Sequence, residues 1–130
     1  MARMRPPRRP RGFTLIELMV VLAIVATLLS IALPRYFGSV DLAREATLRQ
    51  DLAVMRDAID KHHADTGRYP QGLEELVTRH YLRRIPVDPF TESAETWVIV
   101  PPRERDGGAV YSVASGASAV ARDGTPVSGW

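Results

Sequence analysis

A single carboxylate, Glu17, lies inside an otherwise apolar stretch that covers residues 13–33. On insertion scales, an Asp, Lys or Arg at the centre of a membrane helix costs roughly 2.5–3.5 kcal/mol, so charged residues at that depth usually have a function. The carboxylate lies one helical turn from the junction between Gly12 and Phe13. Its position makes Glu17 the first candidate for a functional residue.

The apolar stretch has the length of a membrane span. As a helix that rises about 1.5 Å per residue, it would measure roughly 31 Å, close to a hydrocarbon core of about 30 Å. The residues after it give no small-x-small cleavage site of an ordinary secretory signal. The twelve residues before it carry five arginines and no acid, which predicts a cytoplasmic N-terminus. Hydropathy alone leaves open a plain uncleaved signal anchor.

The basic charge of the chain is concentrated before the span. Of its 17 Lys and Arg residues, five lie in the first twelve residues, so 12 remain against 15 Asp and Glu. Without residues 1–12 the protein is mildly acidic, which gives no electrostatic case for binding nucleic acid. The chain has no Cys, so disulfides and thiolate metal sites are excluded. No arrangement of nucleophile and base, phosphate loop or zinc spacing is present, and we predict no enzymatic activity.

A long helix is predicted to carry the chain away from the span. Pro34 removes one helical hydrogen bond and is expected to kink the backbone without ending the helix. Beyond it, apolar residues recur at spacings of four, three and four and form one stripe, Leu48, Leu52, Met55 and Ile59. Gly67, followed by Pro70, predicts that the helix ends near Thr66.

The last 64 residues are too few to bury a large core alone, so they need the amphipathic helix as support. A short helix is predicted over residues 73–78, with Leu73, Leu76 and Val77 facing inward. Residues 96–100 and 109–114 are predicted to form a β-hairpin, with room for a third short strand near the end. Because a hairpin is marginal in water, it should pack on the stripe. The expected fold class is α+β, a long N-terminal helix packed on a small antiparallel sheet.

The sequence GFTLIEL at residues 12–18 resembles the processing motif of type IV pilins and type II secretion pseudopilins. Glycine precedes the cut, phenylalanine follows it, and glutamate stands five residues in at the head of an apolar run. The resemblance implies cleavage between Gly12 and Phe13 by a prepilin peptidase, and N-methylation of Phe13. It also implies four segments: a cleaved basic leader (1–12), a transmembrane and assembly helix (13–33), its amphipathic continuation (34–66) and a small periplasmic globular domain (67–130).

The resemblance gives Glu17 a role. Cleavage creates an α-amino group on Phe13, with a reference pKa of about 7.7–8.0 before methylation. In the family, the glutamate attracts this amine on a neighbouring subunit as it leaves the bilayer, which sets the register of a helical filament. Phe13 and Glu17 are also i,i+4 neighbours, so a pair within one chain is the alternative. Both pairs can operate, one before assembly and one after.

The segments GRYP at residues 67–70 and YLRRIPVDPF at 81–90 resemble those of the major pseudopilins of type II secretion. This resemblance implies a structural subunit of the inner membrane that polymerises with itself and with minor pseudopilins. An inner-membrane secretion platform is a further implied partner, and the product is a periplasmic pseudopilus that drives protein secretion. The alternatives are a type IV pilin or competence pseudopilin for adhesion, motility or DNA uptake, and a membrane-anchored periplasmic binding module that never polymerises.

Calcium is the one metal that the resemblance implies, since major pseudopilins usually bind Ca²⁺ in their C-terminal loop. Ca²⁺ takes six to eight oxygen ligands, but after Val113 the chain offers one acidic side chain, Asp123. A turn aspartate before Gly124 is therefore the preferred interpretation, and no cofactor is required. The adjacent His62 and His63 leave a helix about 100° apart and cannot chelate from one face, so they are expected to be solvated or at the edge of the stripe.

Overall fold

The computed structural model describes residues 2–130; Met1, the first residue of the predicted leader, lies outside the described residues. The chain forms two compact units, of which the first ends at Gly38 and the second is Ser39–Trp130. The elements in chain order are helix α1 (Leu15–Thr66), helix α2 (Leu73–Thr78), strand β1 (Val98–Val100), strand β2 (Ser112–Ala114) and a short 3₁₀ helix (Val127–Gly129). The fold class is α+β, as predicted.

Helix α1 begins two residues after the start of the apolar stretch and continues through Pro34. Its apolar half is long and apolar enough to cross a membrane, and none of the residues in its most apolar window is buried. The hydroxyl groups of Thr27 and Ser30 donate to the carbonyls of Ala23 and Ala26, each at 2.8 Å. These bonds satisfy the two hydroxyls within the helix, which suits an environment without water. The kink at Pro34 stays a prediction.

The predicted stripe forms one side of the core in the second unit. Leu48, Leu52, Met55 and Ile59 are all buried. His62 continues the same spacing one turn further and is also buried. Residues from α2, β2, the 3₁₀ helix and the connecting loops pack into this core, namely Leu73, Leu76, Leu82, Trp97, Val110, Val113, Ala117, Ala121 and Val127. The amphipathic helix therefore supports the small C-terminal part, as its length required.

Helix α1 ends, and α2 begins and ends, at the residues that the sequence predicted. Gly67 has a φ of +76° and donates its N–H to the carbonyl of His63 at 2.8 Å, which is a common way of closing a helix. In α2, Leu73 and Leu76 are buried, and Val77 packs half-buried against the core. Gly67 and Pro70 explain the end of α1, and α2 begins directly after Gly72.

Strands β1 and β2 pair antiparallel, with Ile99 opposite Val113. Both strands are shorter than predicted. The N–H groups of Ala109 and Val110 donate to the carbonyl of Pro70 at 3.0 and 2.9 Å, so they are not available to a strand partner. Val113 of β2 lies in the core, as expected for a hairpin that packs on the stripe, whereas all three residues of β1 are exposed.

The third strand, for which the sequence left room, is not formed within residues 2–130. Val120 and Pro126 make one isolated antiparallel bridge instead. The N–H of Ala121 donates to the carbonyl of Thr125 at 2.8 Å, and a 3₁₀ helix follows immediately. The turn residues between 121 and 126 keep the segment too tightly folded for a longer ladder.

Candidate processing and assembly site

The junction between Gly12 and Phe13 is open on all sides. Residues 2–14 have no regular secondary structure and are exposed, and the side chain of Phe13 is 94% exposed. A Cβ atom added to Gly12 would have no other atom within 4 Å. Packing inside the chain therefore gives no reason for glycine at this position. A second protein that approaches the main chain closely does give one, because any side chain would stand in its way.

Thr14 and Glu17 determine where the helix begins. The main-chain N–H of Thr14 donates to Oε2 of Glu17, and the N–H of Glu17 donates to the hydroxyl oxygen of Thr14, both at 3.2 Å. This reciprocal pattern is a capping box, which satisfies two N–H groups that a helix start would otherwise leave without partners. The negative charge in the first turn also suits the positive end of the helix dipole. Glu17 therefore has a structural role before any partner arrives.

The capping box was missed by the sequence reasoning, although its signal was present. The pattern Thr-x-x-Glu before an apolar run is the signature of such a helix start. In the prediction from sequence, Glu17 is a charge and a partner of the Phe13 amine, not a helix cap. The structure places its carboxylate at the very start of the helix, beside an apolar surface formed by Phe13, Leu18 and Val21. Its pairing with an amine on Phe13, within or between chains, is a prediction.

Known proteins resemble this chain both at the processing junction and over most of its length. Residues 7–33 match the model of the prokaryotic N-terminal methylation motif. The type II secretion system core protein G of Escherichia coli K12 is 32% identical over an alignment of 117 positions that covers 78% of this chain and 79% of that protein. The proteins of the same name from Klebsiella michiganensis and Vibrio cholerae are 35% and 33% identical, over 62% and 67% of this chain and 68% and 70% of theirs. No solved structure matches the chain.

The chain belongs to the type II secretion system core protein G family. It is a structural pseudopilin subunit and not an enzyme, as the sequence predicted. The methylation motif spans Gly12, Phe13 and Glu17 together. The relatives favour secretion over the adhesion, motility and DNA-uptake functions of other pilins.

In this pseudopilin, the loop of residues 81–90 (YLRRIPVDPF) is held by the buried carboxylate of Asp88. Asp88 is fully buried, accepts the N–H of Phe90 at 2.8 Å, and accepts the hydroxyl of Ser115. The indole N–H of Trp97 donates to the carbonyl of Pro86 at 2.8 Å, which anchors the same loop to the core. Asp88 was not singled out from the sequence, because its partner Ser115 lies 27 residues further along the chain.

The end of α1 in this pseudopilin is held by a second polar network. His62 is fully buried, with Nδ1 3.1 Å from the carbonyl oxygen of Arg68 and Nε2 3.4 Å from Oε1 of Glu75. The guanidinium of Arg68 donates to Glu75 at 2.7 Å. That bond, followed by one from the N–H of Gln71, lowers the pKa of Glu75 to about 2. His62 thus belongs to the stripe and is not solvated, while His63 stacks on Tyr69 with 4.2 Å between ring centroids.

The surroundings of Asp123 do not provide the oxygen ligands that a calcium ion needs. Oδ1 of Asp123 accepts the N–H and the hydroxyl of Thr125 at 2.9 and 2.6 Å. Its Oδ2 faces the guanidinium of Arg49 at 3.9 Å. These bonds from Thr125, and more weakly the charge of Arg49, lower the pKa of Asp123. Within residues 2–130, no group of three or more His, Cys, Asp or Glu side chains could hold a metal, and Gly124 has the φ of +84° expected of a turn.

Proposed function

We propose that this pseudopilin is made as a precursor that crosses the bacterial inner membrane once, with residues 1–12 in the cytoplasm and Ser39–Trp130 in the periplasm. Five arginines before the span support this orientation, because Lys and Arg are retained on the cytoplasmic side. The length and composition of the apolar half of α1 support the crossing itself. The leader has no packing contact at Gly12 that would hold it against the helix.

Prepilin peptidase is the first proposed partner. It hydrolyses the peptide bond between Gly12 and Phe13, which leaves a carboxylate on the leader and an α-amino group on Phe13. N-methylation of Phe13 follows. The open main chain at Gly12 and the match of residues 7–33 to the methylation motif support both steps. The match to that motif, with Glu17 five positions after the cut, is the observation that carries the proposal.

The cut gives Glu17 its assembly role. In the precursor the nitrogen of Phe13 is an amide and carries no charge, so the carboxylate has no ammonium partner and only caps the helix at Thr14. After the cut, an ammonium group lies four residues before the carboxylate. Pairing of Glu17 with the amine of a neighbouring subunit removes two unpaired charges from the apolar interior of a filament. It also fixes the axial register of the contact between subunits, which repeats along a filament instead of closing into a ring.

The proposed product is a helical homopolymer in the periplasm that drives the secretion of proteins. The exposed apolar surface of the N-terminal half of α1 supports assembly through that helix, since large exposed apolar surfaces indicate contact with protein or lipid. Minor pseudopilins and the inner-membrane secretion platform are the other proposed partners. Nucleic acid is not among them.

A deletion strain tests this function. The gene is removed and replaced by the wild type or by Glu17→Ala, and two quantities are measured: the release of secreted proteins into the medium, and surface filaments. We expect the deletion to stop release and to leave surface filaments unchanged. The wild type should restore release, whereas Glu17→Ala should not, although it is present in the membrane. Normal release in the deletion strain, together with a loss of surface filaments, would contradict the secretion function.

A further inference from the structure

The C-terminal segment, residues 121–130, is bound to one face of α1 by three side chains. Oε1 of Glu45 accepts the main-chain N–H of Arg122 at 2.8 Å. One turn further along the helix, Arg49 reaches Asp123 and Trp130. Two turns beyond, Arg56 also reaches the main chain at residue 130. The contacts recur along a single face of the helix, so the whole segment is held along its length.

The contacts of Arg49 join the two ends of the segment. Its guanidinium carbon lies 3.8 Å from the centroid of the Trp130 ring, a cation–π geometry, and its Nη2 lies 3.9 Å from Oδ2 of Asp123. A hydrogen-bond chain closes the loop from the other side, because the indole N–H of Trp130 donates to the hydroxyl oxygen of Thr125 at 2.9 Å and that hydroxyl donates to Asp123 at 2.6 Å. The guanidinium of Arg49 therefore lies where the C-terminal segment folds back on itself.

The contacts of Arg56 attach the segment to the sheet. Its Nη2 donates to the main-chain oxygens of Trp130 and Val113, at 2.5 and 2.9 Å, and its Nε donates to the hydroxyl of Ser112 at 3.2 Å. One side chain of α1 thus joins the last residue to strand β2. Val127 lies between these attachments and is fully buried in the core, so opening the segment would expose it.

We infer that Arg49 and Arg56 supply the positive charge with which this chain closes its C-terminal loop, in place of the calcium ion that the pseudopilin resemblance implies. Ca²⁺ needs six to eight oxygens, several of them from carboxylates. Here Asp123 has both oxygens directed at partners inside the protein. The inference goes beyond the proposed function, and secretion by this pseudopilin should be independent of calcium.

Thermal unfolding of the full-length chain in detergent tests the inference, with the loss of helical circular dichroism as the signal. The midpoint is measured with excess calcium chloride and with excess chelator, and then for Arg49→Gln and Arg56→Gln. Arg44→Gln is the matched control, because Arg44 is an exposed arginine of the same helix. We expect the same midpoint with calcium and with chelator, a fall of several degrees for each of the two variants, and no fall for the control.

Two results would overturn the inference: a midpoint that rises with calcium or falls with chelator, or an Arg49→Gln protein as stable as the control. Arg49→Lys keeps the charge but loses the planar stacking on Trp130, so its midpoint should lie between those of the wild type and Arg49→Gln. If Arg56→Gln does not fold, the comparison of calcium with chelator and the Arg49 series still decide the matter. A calorimetric titration of the wild type with calcium chloride should give no binding heat.

Discussion

Thr14 and Glu17 cap the first turn of α1 for one another, each main-chain N–H donating to the other's side chain at 3.2 Å. The same carboxylate is the proposed partner of an amine that exists only after the bond before Phe13 is cut. Glu17 therefore has two separable properties, a hydrogen-bond acceptor that starts the helix and a negative charge for which we propose a role in assembly. Substitutions can distinguish the two.

Glu17→Gln should keep the helix start and lose assembly. The amide oxygen of glutamine can still accept the N–H of Thr14, as a capping box allows Gln at this position, but it carries no charge for the amine. Glu17→Ala loses both properties, because alanine offers neither an acceptor for the N–H of Thr14 nor a charge for the amine. Filament yield, measured by electron microscopy and by cross-linking of subunits in membranes, should fall for both variants.

Thr14→Ala is the matched control for the Glu17 series, because it removes a cap partner and leaves the charge. We expect it to be inserted, cut and assembled nearly as well as the wild type. If Thr14→Ala assembled as poorly as Glu17→Ala while Glu17→Gln assembled normally, capping would explain the phenotype and the assembly role of the charge would be wrong.

Substitutions of Gly12 should affect cutting and nothing else. Gly12→Val should accumulate as the uncut precursor, because its branched side chain projects into the space from which a peptidase must approach the main chain. Gly12→Ala should be cut partly. Apart from Gly12 itself and its two neighbours in the chain, no residue has an atom within 4 Å of the added Cβ, so folding of the rest of the chain should be unchanged. Immunoblots that resolve precursor from mature protein provide the measurement, and efficient cutting of the valine variant would count against the site.

Truncation of the stripe should destabilise the second unit strongly. Met55 is fully buried, and removing a buried Met, Leu or Ile side chain down to Ala costs about 2–5 kcal/mol. Val54, the preceding residue, is 42% exposed, so Val54→Ala is the control and should cost much less. The thermal midpoints of Met55→Ala and Val54→Ala are compared in the full chain in detergent. Equal midpoints would contradict the packing of the stripe.

Acid should weaken the network at the end of α1 through Glu75. Its pKa in the folded protein is lowered from 4.5 to about 2, first by the hydrogen bond from Arg68. Because the folded pKa lies below the unfolded one, the stabilisation is fully present above about pH 4.5 and is lost as the pH falls toward 2. The difference in thermal midpoint between the wild type and Glu75→Gln should therefore shrink over this range.

Glu74→Gln provides the comparison for the acid series, since Glu74 is an exposed glutamate of the same short helix. The gap between wild type and Glu74→Gln should be small at every pH. A gap for Glu75→Gln that stays constant from pH 5 down to pH 2 would contradict the stabilisation by the ionised carboxylate of Glu75.

Features encoded by neighbouring residues could be predicted from the sequence, and features that depend on distant residues could not. The end of α1 follows from Gly67 and Pro70, and the start of α2 comes directly after Gly72. The shortening of β2 depends on the carbonyl of Pro70, some forty residues before the N–H groups that it accepts. The burial of Asp88 likewise needs Ser115 from another part of the chain.

At the candidate site, the residue types at the junction predict a cut between Gly12 and Phe13, and residues 7–33 match the N-terminal methylation motif; the cut itself stays a prediction. The capping role of Glu17 was equally local and was readable from Thr14, three residues before it. The contact between Arg49 and Trp130 could not be predicted, because nothing in the spacing of residues along α1 indicates that Trp130 folds back onto Arg49.

The intact mass of the protein extracted from membranes tests the central claim most directly. The account predicts a mature chain that begins at Phe13, lacks residues 1–12, and carries one added methyl group on its N-terminal nitrogen, which fragmentation of the N-terminal peptide would locate. A chain that retains residues 1–12 in a strain with an active prepilin peptidase would contradict the account and leave an uncleaved membrane anchor in its place.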